Sequence, residues 1–217
     1  MIFVGTINTI IGQQSVNECM IFVRNLVHIW ACNNDIHSWE DVVAPYADTY
    51  DADDGFEVRT GATKIVLIPN NTSYVIKIPY SGDECDGSFA DYCALESQFY
   101  DEAEIDGCEQ FFVPTQFLMH VADIPIYVQT KIEQIVSARP TNEEVFKYAS
   151  IKGSDKLDSS IGGKLVKYYT SEEIKAFLDF ISNHNINDLE AARNGEYVKS
   201  FGRYVFWDYS GYHENLW

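Results

Sequence analysis

The 217-residue chain carries 33 acidic against 15 basic residues, a formal net charge of −18 at pH 7. That balance argues against direct nucleic-acid binding, which relies on Lys and Arg neutralising phosphates. Hydrophobic content of 46% excludes a disordered chain, and no apolar run reaches the roughly eighteen residues needed to cross a bilayer.

The start, MIFVGTINTIIGQQ, lacks a basic segment and turns polar early, so no signal peptide is expected. Cys19, Cys32, Cys85, Cys93 and Cys108 are odd in number and contain no C-x-x-C pair. They read as reduced thiols of a cytoplasmic protein, with no disulfide framework or zinc site. The acids are scattered, so the charge serves first for solubility and self-repulsion. A face for a basic protein partner, or a mimic of nucleic acid, is the sharper use of the same charge.

Residues 1–55 are expected to form a helical N-terminal extension. Asn17–Ala31 places Met20, Ile21, Val23, Leu26, Val27 and Trp30 at helical spacing behind a capping Asn17. A second short helix is expected from Ser38, and the acidic stretch Asp48–Gly55 is a loop. From Phe56 the pattern changes to strands: Phe56–Thr60, Lys64–Ile68 and Tyr74–Pro79 are rich in β-branched and aromatic residues. Gly61-Ala62 and Asn70-Asn71 supply the turns. Alternation puts Val75 and Lys77 on one face of the third strand and Tyr74, Ile76 and Ile78 on the other. Taken alone, Lys77 is a lysine on a solvated face.

Phe89–Ile105 comes next as an amphipathic helix carrying Glu96, with Gly107 ending it. Phe111–His120 and Pro125–Lys131 complete five strands, and Gln129–Glu133 marks the junction between the strands and a helical second half. Thr141–Ala149 is a helix with a Thr141/Glu144 capping pattern. Lys152–Lys164 is expected to be a Gly/Ser/Asp loop. Its Gly162-Gly163-Lys164 fails as a phosphate loop, lacking the earlier glycine and the Ser/Thr after the lysine. Ser171–His184 is a further helix. It leads into Ile186-Asn187-Asp188-Leu189, Arg193-Asn194-Gly195, a turn at Ser200–Arg203, and Tyr204-Val205-Phe206-Trp207-Asp208-Tyr209-Ser210-Gly211. The segments on either side of that turn form a small hairpin with a carboxylate at each end. Two acids so placed suit phosphoryl transfer, one orienting a hydroxyl and the other holding Mg²⁺ on phosphate oxygens.

This ending resembles the catalytic loop and Asp-Phe-Gly segment of the protein-kinase-like fold. It is similar in particular to small kinase-like proteins of phages and bacteria, which carry Asp-Leu-His-x-x-Asn followed by Asp-Tyr-Ser-Gly. The resemblance covers about residues 56–211 and implies an α+β fold. A five-stranded antiparallel N-lobe (56–131) would be followed by a truncated helical C-lobe (132–217). It further implies ATP and Mg²⁺ in an interlobe cleft. Lys77 would grip the phosphates and Glu96 would hold that lysine. Gly61 would lie in the phosphate-covering turn, and Glu133 at the hinge that meets the adenine. Asp208 and Asn194 would bind metal, and Asp188 would orient the acceptor.

The chain departs from the family in two ways. Ile186-Asn187-Asp188 stands for His-Arg-Asp, and Arg193 occupies the spacing of the metal-binding Asn, with Asn194 next to it. An insertion would keep Asn194 as ligand; a replacement by Arg193 would repel the metal. The resemblance therefore implies one of two functions: an ATP-dependent phosphotransferase, or a catalytically inactive pseudokinase-type phage protein. The latter would bind a host or phage protein in an acidic-interaction or anti-defence role.

Overall fold

A computed structural model describes residues 21, 23–25, 56–60, 64–70, 72–79, 92–121, 124–184, 186, 189 and 194–209. The expectations for Ser38, Asp48–Gly55 and most of Asn17–Ala31 lie outside these residues. Of that first helix, residues 21 and 23–25 are helical. Val23 is buried as its spacing predicts, whereas Ile21, expected inward, is 60% exposed.

The fold is α+β with antiparallel sheets. It divides into two compact units, Met1–Ser97 with Thr115–Lys131, and Gln98–Pro114 with Ile132–Trp217. The first contains β1 (Phe56–Thr60), β2 (Lys64–Pro69), β3 (Tyr74–Pro79), β4 (Thr115–Val121) and β5 (Ile124–Thr130) in one antiparallel sheet. The strand order is β1-β2-β3-β5-β4. β3 is therefore central, flanked by β2 and β5, and all six of its residues are buried. That excludes a solvated face for Lys77. A register shift between Phe117 and Met119 bulges β4, and the Phe117 N–H there donates to Ser97 Oγ (3.1 Å). Ser97 belongs to α1 (Tyr92–Asp106). This helix contributes Tyr92–Ser97 to the first unit and its remaining residues to the second.

The second unit also holds α2 (Asn142–Ala149), α3 (Ser159–Leu165) and α4 (Ser171–Asn183). Its three-stranded sheet is formed by β6 (Ile135–Val136), β7 (Gly195–Val198) and β8 (Arg203–Phe206). Thr141 and Thr170 each form a complete capping box, with Glu144 and Glu173, which satisfies N–H groups that a helix start leaves open. Aromatic rings fill the core. Phe111 stacks on Tyr169 (4.1 Å) and Phe177 (4.3 Å), and Phe177 stacks on Phe206 (5.5 Å).

Three expectations are corrected. Phe111 does not open a strand: Glu109–Phe111 is a 3-10 turn, because Phe111 and Phe112 are drawn into the aromatic core. β7 and β8 gain a third strand, β6, too short to register as a pattern. The expected loop Lys152–Lys164 contains a 3-10 turn (Ser154–Lys156) and α3. Asp158 caps α3 by accepting from the Ser160 N–H (2.7 Å). Gly162 and Gly163 serve packing: a Cβ on Gly162 would meet the Tyr148 ring at 2.3 Å, and one on Gly163 would meet Pro140 at 2.8 Å. Glycine costs a helix interior about 1 kcal/mol, accepted here because α2 comes close.

Candidate functional site

In the first unit the sheet and α1 bring three charged side chains together. Glu96 is fully buried, and Lys77 donates to its Oε2 at 2.5 Å. Lys64 donates to the other oxygen, Oε1. Both lysines are buried, Lys77 at 4% and Lys64 at 8% exposure. The register explains the meeting. Lys77 pairs across the ladder with Val66, which lies two residues from Lys64 and hence on its face of β2. The two lysines are diagonal neighbours under the start of α1. Lys77 and Glu96 are thus joined as the resemblance implies, and Lys64 joins them although no motif marks it. Its signal was there: hairpin register and alternation put it beside Lys77.

The second unit positions the other candidates through the β7–β8 hairpin. Gly195 pairs with Phe206, and the Trp207 N–H donates to the Asn194 carbonyl (2.9 Å), extending the ladder by one step. Asn194 is buried, and half-buried Asp208 comes directly after its backbone partner. The next residue, Tyr209, is fully buried and its hydroxyl donates to the Val113 carbonyl (2.9 Å). Asp208 is therefore held from both sides, by a strand pair before it and an anchored ring after it. At the opposite end of the hairpin Gly202 takes φ +67, a left-handed turn that favours glycine.

Asp188, Gly61 and Arg193 lie outside the described residues. The neighbours Ile186 and Leu189 are buried, and the Ile186 N–H donates to the Ile181 carbonyl near the end of α4 (2.9 Å). Glu133 is exposed, in the segment between β5 and β6. Gln134 beside it takes φ +57, uncommon for a residue with a side chain. Nearby in sequence, Gln129 is buried and donates to Thr115 Oγ1 (2.6 Å).

Other charged groups gather elsewhere. Glu196 on β7 accepts from Lys164 (2.6 Å) and Ser137 (2.9 Å), so the lysine of Gly162-Gly163-Lys164 serves an ion pair. His184 faces Glu102 through Nδ1 (2.7 Å) and Asp106 through Nε2 (3.6 Å). Among the described residues no group of three or more His, Cys, Asp or Glu side chains could hold a metal ion. Asp208 and Asn194 each carry a side-chain oxygen of the kind Mg²⁺ accepts. Also among the described residues, no helix is long and apolar enough to cross a membrane. Comparison of the chain with protein-family models, curated proteins and solved structures gives no match.

Proposed function

We propose that the chain is a protein-kinase-like nucleotide-binding protein that takes ATP with Mg²⁺ and transfers a phosphoryl group. Lys77 grips the phosphates and Glu96 holds that lysine in place. Asp208 and Asn194 are the protein's ligands for the metal, and Asp188 orients the acceptor hydroxyl. When bound, Mg²⁺ neutralises charge on the phosphates. The single observation that carries the proposal is the buried Lys77–Glu96 pair. Taking a carboxylate and an ammonium out of water costs several kcal/mol per ion, and a neutral pair of similar shape would pack as well. Retaining the charges is understandable where an anion must be met.

Thermal melting with and without Mg·ATP tests this. At 100 times its dissociation constant a ligand adds about 2.7 kcal/mol, a rise of roughly 5–10 °C for a chain of this size. Asp208→Asn should remove the magnesium-dependent part of the rise. No rise at millimolar Mg·ATP overturns the proposal. A second proposal is a pseudokinase-type protein that binds a protein partner. Its support is apolar surface in the second unit, where Phe146 is 76% exposed and Ile135 and Val136 about half exposed.

A further inference from the structure

We infer that the open edge of β6 and the recess beside it bind an extended acidic peptide of a partner protein, which adds a strand to the β6-β7-β8 sheet and sets a carboxylate on Arg139. The inference deepens the protein-binding reading above and rests on it, independently of nucleotide binding. Among the described residues β6 pairs only with β7, while the far side of β8 is met by a bridge between Phe112 and Phe206. The Lys199 N–H donates to the Gln134 carbonyl (3.3 Å), which makes those two a hydrogen-bonded pair. Bonded and non-bonded pairs alternate along an antiparallel ladder. Ile135, opposite Val198, therefore turns its N–H and C=O away from β7. An edge of that kind is a template for another strand.

The recess supplies the charge. Its space is about 240 Å³ with the open mouth included, below the roughly 300–1,000 Å³ of small-molecule sites, and suits one side chain. Val136, Pro140 and the stacked rings of Tyr168 and Tyr197 (5.0 Å) line it. Three cations and two carboxylates also face it. Lys164 is paired with Glu196 (2.6 Å) and Lys167 with Glu144 (3.5 Å). The third cation, Arg139, is exposed and forms no hydrogen bond or ion pair with the described residues. On a chain of net charge −18 this recess thus keeps an uncompensated positive charge. A guanidinium meets a carboxylate through two parallel N–H donors. Pro140 biases Arg139 toward extended backbone, which keeps it in line with β6 and with a strand added there.

A random heptapeptide display library on the full chain tests this, with the selected peptides titrated by fluorescence anisotropy against wild type, Arg139→Gln and Phe146→Ala. Circular dichroism first establishes that both variants, each altered at an exposed side chain, are folded. Wild type should enrich peptides with Asp or Glu at one fixed position between β-branched residues. Arg139→Gln should weaken them tenfold or more, about 1.4 kcal/mol or more, and Phe146→Ala should leave them unchanged. N-methylation of successive peptide amides, which needs no protein variant, should abolish binding at the amide that meets the Ile135 carbonyl and spare the amides on either side. Peptides that bind Arg139→Gln as well as wild type, or that tolerate N-methylation at every amide, overturn the inference. Release by Phe146→Ala alone overturns it while the protein-binding reading stands, and no enriched peptide overturns both. A wild-type dimer in sedimentation that Arg139→Gln dissolves also overturns it, by making a second copy the occupant.

Discussion

Replacing Glu96 by Gln takes the negative charge from between Lys64 and Lys77 while keeping the side chain's shape. The carboxylate is fully buried, and the lysine side chains are 10% and 5% exposed, so water cannot take over from the lost charge. One amide oxygen can still accept from one lysine; the amide NH₂ then points donors at the other ammonium. Removing one partner of a buried pair costs about 3–5 kcal/mol, and two ammonium groups are affected here, so the upper half of that range is expected. Lys64→Met leaves the Lys77–Glu96 pair in place and should cost less, about 1.5–3 kcal/mol, the range for a hydrogen bond to a charged group. Urea unfolding followed by circular dichroism measures both. Hydrogen exchange should place the loss on β2, β3 and the start of α1. A Glu96→Gln loss below about 1 kcal/mol, the value of an exposed pair, would refute the buried network.

Further predictions concern the second unit. Gly162→Ala should destabilise by about 1–3 kcal/mol through overpacking against Tyr148, although alanine favours a helix; equal or greater urea stability contradicts the close packing of α2 and α3. Asp158→Ala should cost about 0.5–1 kcal/mol at pH 7 as a lost N-cap. Hydrogen bonds from the Ser160 side chain and backbone hold the Asp158 carboxyl below its ordinary range. A carboxyl depressed in the folded state stabilises above its unfolded pKa, near 3.9, and loses that contribution as pH falls through the lower folded value. The wild-type advantage should therefore be constant from pH 7 to about 5 and vanish under strong acid; an advantage unchanged at pH 2 contradicts the cap. Burial, then Asp106 and Glu109, push the Cys108 thiol up to about 11. With 1% exposure, it should resist alkylation at pH 8 until the chain is unfolded, as mass spectrometry of the Cys108 peptide would show.

Much of the fold was legible because its signals are local. Alternation and turn residues marked β1, β2 and β3, and the Thr141/Glu144 capping pattern marked α2. What escaped depends on partners distant in sequence. Gly162 and Gly163 read as loop residues until Tyr148 and Pro140 are seen to need the space. β6 is two exposed residues that become a strand only by pairing with Val198 and Tyr197. In the site, Lys77 and Glu96 were legible through their order in the chain. Lys64 was not, because its role depends on a cross-strand register and on a helix residue 32 positions further on.

On the nucleotide-binding proposal, the phosphates reach Lys77. An acyl-phosphate derivative of ATP tests it directly, because the lysine amine nearest the phosphates attacks the acyl carbon and releases ATP. Peptide mass spectrometry should find the acyl group on Lys77, suppressed by excess Mg·ATP. Labelling spread over exposed lysines such as Lys152 and Lys175, and unaffected by Mg·ATP, would contradict it.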